Sequence, residues 1–211
     1  LVFMGGTALV STIMSDVPAT AIFMAVSLGL LEKMGLTPGK SSFAKALMIG
    51  IPFAALIGGV ATPAGSSINI LGIFFIQEYG DVTVRFLDWM VIGIPMVLVM
   101  LPLSVWVLLR WYPPEMTTVT AVGNVPSERA QLGPVTAKEW RVLVILATMI
   151  VLWISSTWVE ALDVVLVSMV GAIAMFLPGM QLFTWKEAER GIGWEALLMV
   201  GGVTSIGAAS V

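Results

Sequence analysis

Long stretches without a charged side chain constrain this chain more than any other feature of its sequence. Residues 89–109, 142–159 and 164–185 contain no Asp, Glu, Lys or Arg, and each has close to the roughly 20 apolar residues that a helix needs to cross a bilayer. Only 11% of the 211 residues are charged and 58% are hydrophobic, whereas soluble domains have about 25% and 45–50%. These values exclude a water-soluble domain and a disordered chain, and they predict an all-α polytopic membrane protein.

Charged and aromatic residues predict how these helices are oriented. Trp residues, which favour the membrane interface, flank the three uncharged stretches. Lys and Arg concentrate in residues 31–45 and around the polar segment 112–138, which predicts that both segments face the cytoplasm. The acidic turns at 78–88 and 160–163 are predicted to face outward. This alternation requires residues 1–34 to enter and leave on the cytoplasmic side, as a re-entrant hairpin.

Two other apolar segments do not fit a plain helix. Residues 1–31 have Asp16 as their only charge, and each half on either side of it reaches only about 22 Å as a helix. Residues 46–77 would instead reach about 48 Å, and they contain Gly58–Ser67, a run in which Gly and Pro break a helix. We therefore predict a helical hairpin in the first segment, and a helix, an unwound stretch and a second helix in the other.

The first break, within Ser15–Thr20, is predicted to place a helix N-terminus near the middle of the bilayer. Ser15 or Asp16 suits an N-cap, and Pro18 suits the first turn of the helix that follows. A carboxylate at that depth costs about 2.5–3.5 kcal/mol, and such residues usually line the path of an ion or a substrate. The alternative is that Asp16 only caps a helix beside a protein-buried loop.

The second break offers oxygen ligands beside closely spaced glycines. Its polar side chains are those of Thr62, Ser66, Ser67 and Asn69. Hydroxyl, amide and unwound carbonyl oxygens suit a small hard cation such as sodium, and half-helix N-termini suit an anion. Many secondary transporters build midplane sites from such discontinuous helices, so the two breaks together predict a cation-coupled anion carrier. The alternative for the Gly-rich run is close helix packing through small residues.

Composition removes several other functions. The chain contains no Cys and no His, which excludes thiolate catalysis and Cys-ligated metals and removes the commonest general base. It also lacks paired carboxylates in a plausible pocket, so we expect no enzyme and no cofactor other than coupling sodium ions. A net charge of −3 provides no basic field for nucleic acid.

The segments predict parts of two repeats of a larger membrane protein. The first-repeat portion covers residues 1–111, a cytoplasmic linker covers 112–138, and a truncated second repeat covers 139–211. Within the first portion we predict the hairpin in 1–34, the broken helix in 43–79 and a helix in 88–111. Because apolar runs include both Leu1 and Val211, we expect a fragment of a longer protein.

Three motifs resemble those of a known transporter family. Ser15–Ala21 is similar to the Ser-Asn-Thr hairpin tip of the divalent anion:sodium symporter family, and Gly58–Asn69 is similar to the Gly-rich break of that family's fifth helix. Trp194–Gly202 is a weaker match to the helix before the family's second hairpin. Members of this family carry dicarboxylates, citrate or sulfate.

The resemblance implies an inverted-repeat secondary transporter that works by alternating access, with the second hairpin after Val211. By the same resemblance, the sodium ligands are Ser11, Ser15 and Asp16 with the backbone of Gly59 and Ala61. The residues expected to approach a small anionic substrate are Ser15, Asp16, Val17, Thr20, Thr62, Gly65, Ser66 and Asn69. A homodimer in a bacterial inner membrane is also expected.

The sequence departs from the family pattern at two positions of the first break. Asp16 occupies the place of the family's Asn, and Val17 occupies the place of its Thr. A carboxylate beside an anion site repels the substrate unless sodium or a proton neutralises it. The first alternative is therefore a proton-coupled anion carrier or a sodium/proton antiporter in which Asp16 titrates. A second alternative is a non-transporting membrane subunit that docks partners through the linker 112–138.

Overall fold

The computed structural model describes residues 1–36, 39–115, 135–159, 162, 164–177, 180, 182–192, 194, 198, 201, 202 and 205. All regular secondary structure in this part of the chain is helical, as the sequence predicts. The elements are α1 (Val2–Ser11), α2 (Asp16–Lys33), α3 (Ser42–Gly59), a 3-10 turn (Pro63–Gly65), α4 (Ser67–Gly80), α5 (Phe86–Trp111), α6 (Ala137–Ser155), α7 (Val164–Ala174) and α8 (Trp185–Gly191). The chain divides into two compact units, Leu1–Gly133 with Ile154–Ala161, and Pro134–Trp153 with Leu162–Val211.

The first two helices form a hairpin around residues 12–15. Ser15 is the N-cap of α2, and Pro18 lies in its first turn, where a missing N–H costs no hydrogen bond. Gly35 follows α2 with a φ of 65°, a left-handed conformation that Gly adopts most readily at a helix end. Two helices joined by a turn thus occupy residues 1–34, and the re-entrant path of this hairpin through a membrane stays a prediction.

Helix α3 is the centre of the first unit, because α1, α2 and α5 all pack against it. Gly58 allows the closest of these crossings, since a Cβ built at that position would lie 2.2 Å from the Ala8 carbonyl oxygen of α1. Between α2 and α3, the buried side chains are Leu31, Ala44, Leu47 and Ile51. Between α1, α3 and α5, the packed side chains are Met4, Ala8, Ala54, Leu101, Val105 and Leu108.

Two helices of the described part, α3 and α5, are long and apolar enough to cross a membrane. Helix α5 has 26 residues, which reach about 39 Å, and it matches the helix predicted over 88–111. Residues 60–66 separate α3 from α4. The interruption lies within the segment 43–79 for which a broken helix is predicted, and its place in a membrane stays a prediction.

The second unit contains most of α6, together with α7 and α8. The Trp153 indole Nε1 of α6 donates a hydrogen bond to the Val164 carbonyl at 3.3 Å, which ties α6 to the first turn of α7. Helix α8 begins with a capping box, in which the Thr184 hydroxyl accepts from the Glu187 N–H and the Glu187 carboxylate accepts from the Thr184 N–H.

One predicted helix is too long. The uncharged stretch 164–185 predicts a membrane-length helix, but α7 has only 11 residues and is followed by turns. At this length it reaches only about 16 Å. Pro178 and Gly179 come shortly after α7 in the sequence, and this dipeptide is a strong turn signal. The helix predicted over 142–159 is present as α6, which begins and ends several residues earlier.

Some predictions lie outside the described residues. The linker predicted over 112–138 is described only at its two ends, and α6 already begins inside it. The motif Trp194–Gly202 is described only at single positions, and these are helical. The second hairpin, expected after Val211, is not covered by the sequence.

A carboxylate joins the residues after α5 to the start of α3. Glu115 Oε1 accepts a hydrogen bond from the Ser42 N–H at 2.9 Å, and Oε2 accepts one from the Ser41 hydroxyl at 3.0 Å. The bond from the Ser42 backbone, followed by that from Ser41, holds the pKa of Glu115 below its usual value, and the charge of Lys45 acts in the same direction. The helix N-terminus thus binds the ionised form of this side chain.

We expect Gly58→Ala to lower the thermal stability of the purified full-length protein. Its methyl group would overlap the Ala8 backbone, and such overpacking costs about 1–3 kcal/mol. Gly29→Ala on α2 is the control, because a Cβ there meets nothing within 4 Å; that change should be neutral or stabilising by up to about 1 kcal/mol. Equal melting temperatures for the two variants would contradict the close α1–α3 crossing.

We expect Glu115→Gln to lower the melting temperature at pH 7, and the difference from the wild type to shrink in acid. A carboxyl whose pKa is lowered on folding stabilises the protein above its unfolded pKa, and this contribution disappears as the pH falls through the folded pKa. Glu78→Gln, at an exposed position of α4, is the control. A Glu115→Gln difference that stays constant down to about pH 3 would show that the charge has no part in the contact.

Candidate functional site

The hairpin turn holds the only carboxylate of the first break at the start of α2. Asp16 Oδ1 accepts hydrogen bonds from the Ser15 hydroxyl and from the Val17 N–H, both at 3.1 Å. The Ser15 hydroxyl therefore binds its neighbour and does not cap the helix, although Ser15 is the N-cap residue. Asp16 is half-buried and Ser15 is exposed, so the carboxylate remains accessible.

The second break is an unwound stretch whose carbonyl groups are held by side chains of the same segment. The Asn69 Nδ2 amide donates to the Gly59 carbonyl at 2.7 Å and to the Thr62 carbonyl at 2.8 Å. The Thr62 hydroxyl accepts from the Gly65 N–H at 3.1 Å and so begins the 3-10 turn. Asn69 is only 6% exposed, which makes these bonds costly to lose.

The structure brings the two breaks into contact. The Thr62 hydroxyl donates to the Thr12 carbonyl of the hairpin turn. Ser11 Oγ donates to the Ala55 carbonyl at 2.7 Å, and it lies 3.4 Å from the position that a Gly59 Cβ would take. A Cβ at Gly65 would lie 2.9 Å from the Ser11 carbonyl oxygen. The glycine at position 65 lets the end of α1 approach the unwound backbone this closely.

Helix α5 contacts the same unwound stretch from another side. The Trp89 indole Nε1 donates to the Val60 carbonyl at 2.9 Å. A Cβ on Gly93 would lie 2.6 Å from the Val60 oxygen and 2.9 Å from the Ala61 oxygen. Sequence reasoning assigned Trp89 to the membrane interface and missed this contact. The available signal was Gly93, because a glycine inside an apolar helix often marks a close approach of two backbones.

Several residues predicted for the substrate site line a cavity between α2 and α3, and not the second break. A cavity of about 460 Å³ between α2 and α3 is lined by Asp16, Val17, Thr20, Ala21, Met24, Pro52 and Leu56. Asp16 and Thr20 are its polar residues, and Val17 is 73% exposed. No described contact joins these side chains to Thr62 or Asn69. Such an apolar wall does not favour a dianion, which needs hydrogen-bond donors and positive charge.

The predicted sodium ligands lie at three separate places in the structure. Ser11 and Gly59 lie together at the contact of the two breaks, whereas the Ala61 carbonyl lies against α5. Ser15 and Asp16 lie at the start of α2. Among the described residues no group of three or more Asp or Glu side chains could hold a metal ion, so a cation here would depend on hydroxyl, amide and backbone oxygens. The ligand set stays a prediction.

Comparisons with known proteins agree with the resemblance. The family model of the citrate transporters matches residues 1–210. The sodium-dependent dicarboxylate transporter SdcS of Staphylococcus saprophyticus is 26% identical over 225 residues, which cover 95% of this chain and 43% of the relative. A protein named membrane protein in Cupriavidus necator is 24% identical over 192 residues, 90% of this chain and 37% of its own length. The citrate/succinate antiporter of Escherichia coli K12 is 24% identical over 137 residues, 64% of this chain and 27% of the antiporter.

The chain spans less than half the length of these relatives. The resemblance to divalent anion carriers is confirmed by the family match and by the dicarboxylate transporter among the relatives. The match covers both breaks and the helices that position them. The chain therefore belongs to the citrate transporter family of membrane proteins.

Proposed function

We propose that the full-length protein is a secondary transporter of small di- or tricarboxylate anions, coupled to sodium and working by alternating access. The observation that supports this proposal best is the contact between two interrupted helices, made through Thr62 and Thr12. Unwound backbone at membrane depth is stable only where protein or a water-filled cavity satisfies it. Transporters use such interruptions to bind an ion and a substrate near the midplane.

Around the second break, one set of groups suits a cation and another set suits an anion. Asn69 uses its amide nitrogen on two carbonyl groups, and its Oδ1 accepts no hydrogen bond from the described residues. This oxygen and the lone pairs of Ser11 Oγ are neutral hard donors for sodium. The first N–H groups of α4, next to Ser66 and the exposed Ser67, suit a carboxylate.

Family membership favours transport over the alternative of a scaffold subunit and over an enzyme. The names of the relatives differ in the mode of coupling, since one is sodium-dependent and another is an antiporter of citrate and succinate. This proposal includes sodium coupling, sulfate as a further substrate, a homodimer and location in a bacterial inner membrane.

Proton coupling is the second candidate, and it rests on a carboxylate at position 16, where the family pattern has an amide. The Asp16 side chain lies half-buried at the start of α2, beside an apolar cavity, and in this candidate a proton neutralises it when an anion approaches. Sodium coupling requires a neutralising cation at the same place. The two candidates therefore differ in what a neutral amide at position 16 would do.

We expect Asn69→Ala to abolish sodium-stimulated uptake of radiolabelled succinate and citrate into vesicles that contain the full-length protein. The change removes both hydrogen bonds that hold the Gly59 and Thr62 carbonyl groups. Gln77→Ala removes an exposed amide from the same helix and should leave uptake near the wild-type rate. If Asn69→Ala retains sodium-stimulated uptake, the second break is not part of the transport site.

We expect Asp16→Ala to abolish sodium-stimulated uptake and Asp16→Asn to retain part of it. An amide oxygen can still ligate sodium, whereas a methyl group cannot. Uptake is measured with an inward sodium gradient, with a pH gradient alone and with a counter-anion inside the vesicles. If wild-type uptake follows the pH gradient without sodium and is lost in Asp16→Asn, the coupling ion is the proton and not sodium. Uptake that needs only the internal anion would indicate exchange.

A further inference from the structure

The carbonyl groups of the unwound stretch differ in their hydrogen bonds. The Gly59 and Thr62 oxygens accept from Asn69, within the segment itself. The Val60 oxygen accepts from the Trp89 indole, which belongs to α5. The Ala61 oxygen lies between these held groups and accepts no hydrogen bond from the described residues. The peptide groups on both sides of the Ala61 carbonyl are held, one through Trp89 and the other through Asn69, and this limits the rotations about φ and ψ that would redirect that carbonyl.

The Trp89 side chain reaches both halves of the broken helix. Its Nε1 binds Val60 beyond the end of α3, and its Cη2 lies 3.8 Å from the position of a Cβ at Gly72 in α4. Gly93, one helical turn after Trp89, lets the α5 backbone approach Val60 and Ala61. One indole ring thus bridges the ends that an opening of the break would separate.

We propose that Trp89 is a positioning residue that orients the Val60–Ala61 carbonyl groups and thereby sets the apparent affinity for the coupling cation. The inference rests on the proposed function, in which the break binds that cation. Trp89 acts through its hydrogen bond to Val60 and touches neither ion nor substrate. A cation that is bound by a backbone carbonyl needs this oxygen in place beforehand, because each reorientation on binding reduces affinity.

Amide hydrogen exchange of the purified full-length protein tests the positioning role without any transport. Trp89→Phe retains an aromatic ring but loses the N–H donor. Exchange of the peptide that covers residues 58–69 should accelerate about two- to tenfold, the range expected for loss of one net hydrogen bond. A peptide within α3, residues 44–55, should be unchanged and shows that the fold is intact.

Trp106→Phe is the matched control. Trp106 lies on the same helix and is 65% exposed, so its replacement should leave exchange at 58–69 at the wild-type rate. Equal exchange in the Trp89→Phe and Trp106→Phe proteins would overturn the positioning role. If Trp89→Phe does not fold, Gly93→Ala displaces the same carbonyl groups while keeping the indole, and it should accelerate the same peptide.

Transport kinetics test the consequence for the cation. In Trp89→Phe, the sodium concentration that gives half-maximal succinate uptake should rise about two- to tenfold, by the same hydrogen-bond estimate, while the maximal rate at saturating sodium is retained. A lower maximal rate with unchanged sodium dependence would mean that Trp89 only stabilises the fold, and would overturn the inference. If the wild type shows no sodium dependence, the proposed coupling fails, whereas the exchange experiment still decides whether Trp89 positions the break.

Discussion

The structure depends on satisfying the backbone of one unwound stretch. The carbonyl groups of Gly59–Thr62 lie at the end of α3 and before the 3-10 turn, where of these four only the Thr62 carbonyl accepts a backbone hydrogen bond from the described residues, namely from the Gly65 N–H, and each unpaired polar group away from water costs free energy. Asn69 binds two of them and Trp89 binds a third. These donors come from α4 and α5. Hydrogen bonds to these few carbonyl groups thus connect α3, α4 and α5.

Small residues make this arrangement geometrically possible. Gly58 permits contact between α1 and α3, Gly65 permits the close approach of the Ser11 carbonyl at the end of α1, and Gly93 permits contact with α5. Close packing replaces the hydrophobic effect as the main association force where the surroundings are themselves apolar. The Gly-rich run therefore serves both as a packing motif and as a helix break in the same structure.

The sequence predicted the hairpin because Asp16 lies between two flanks too short to cross a bilayer, and the broken helix because Gly and Pro interrupt residues 58–67. It could not predict which distant groups would satisfy the interrupted backbone: Trp89 is indistinguishable from an interface tryptophan until Val60 is placed beside it. The contact of Thr62 with Thr12 depends likewise on tertiary packing. The predicted clustering of Asp16 with the second break rested on a motif, whereas the first turn of α2 places that side chain along the apolar cavity beside Pro52 and Leu56.

The Glu115 contact has a mechanical consequence for α3. Glu115 lies just after α5, at the start of the segment that leads to α6, and it binds the first residues of α3. The residues that follow α5 are therefore anchored to the central helix of the first unit. A displacement of Glu115 would act directly on the first residues of α3, and α3 leads from these residues to the unwound stretch at its other end.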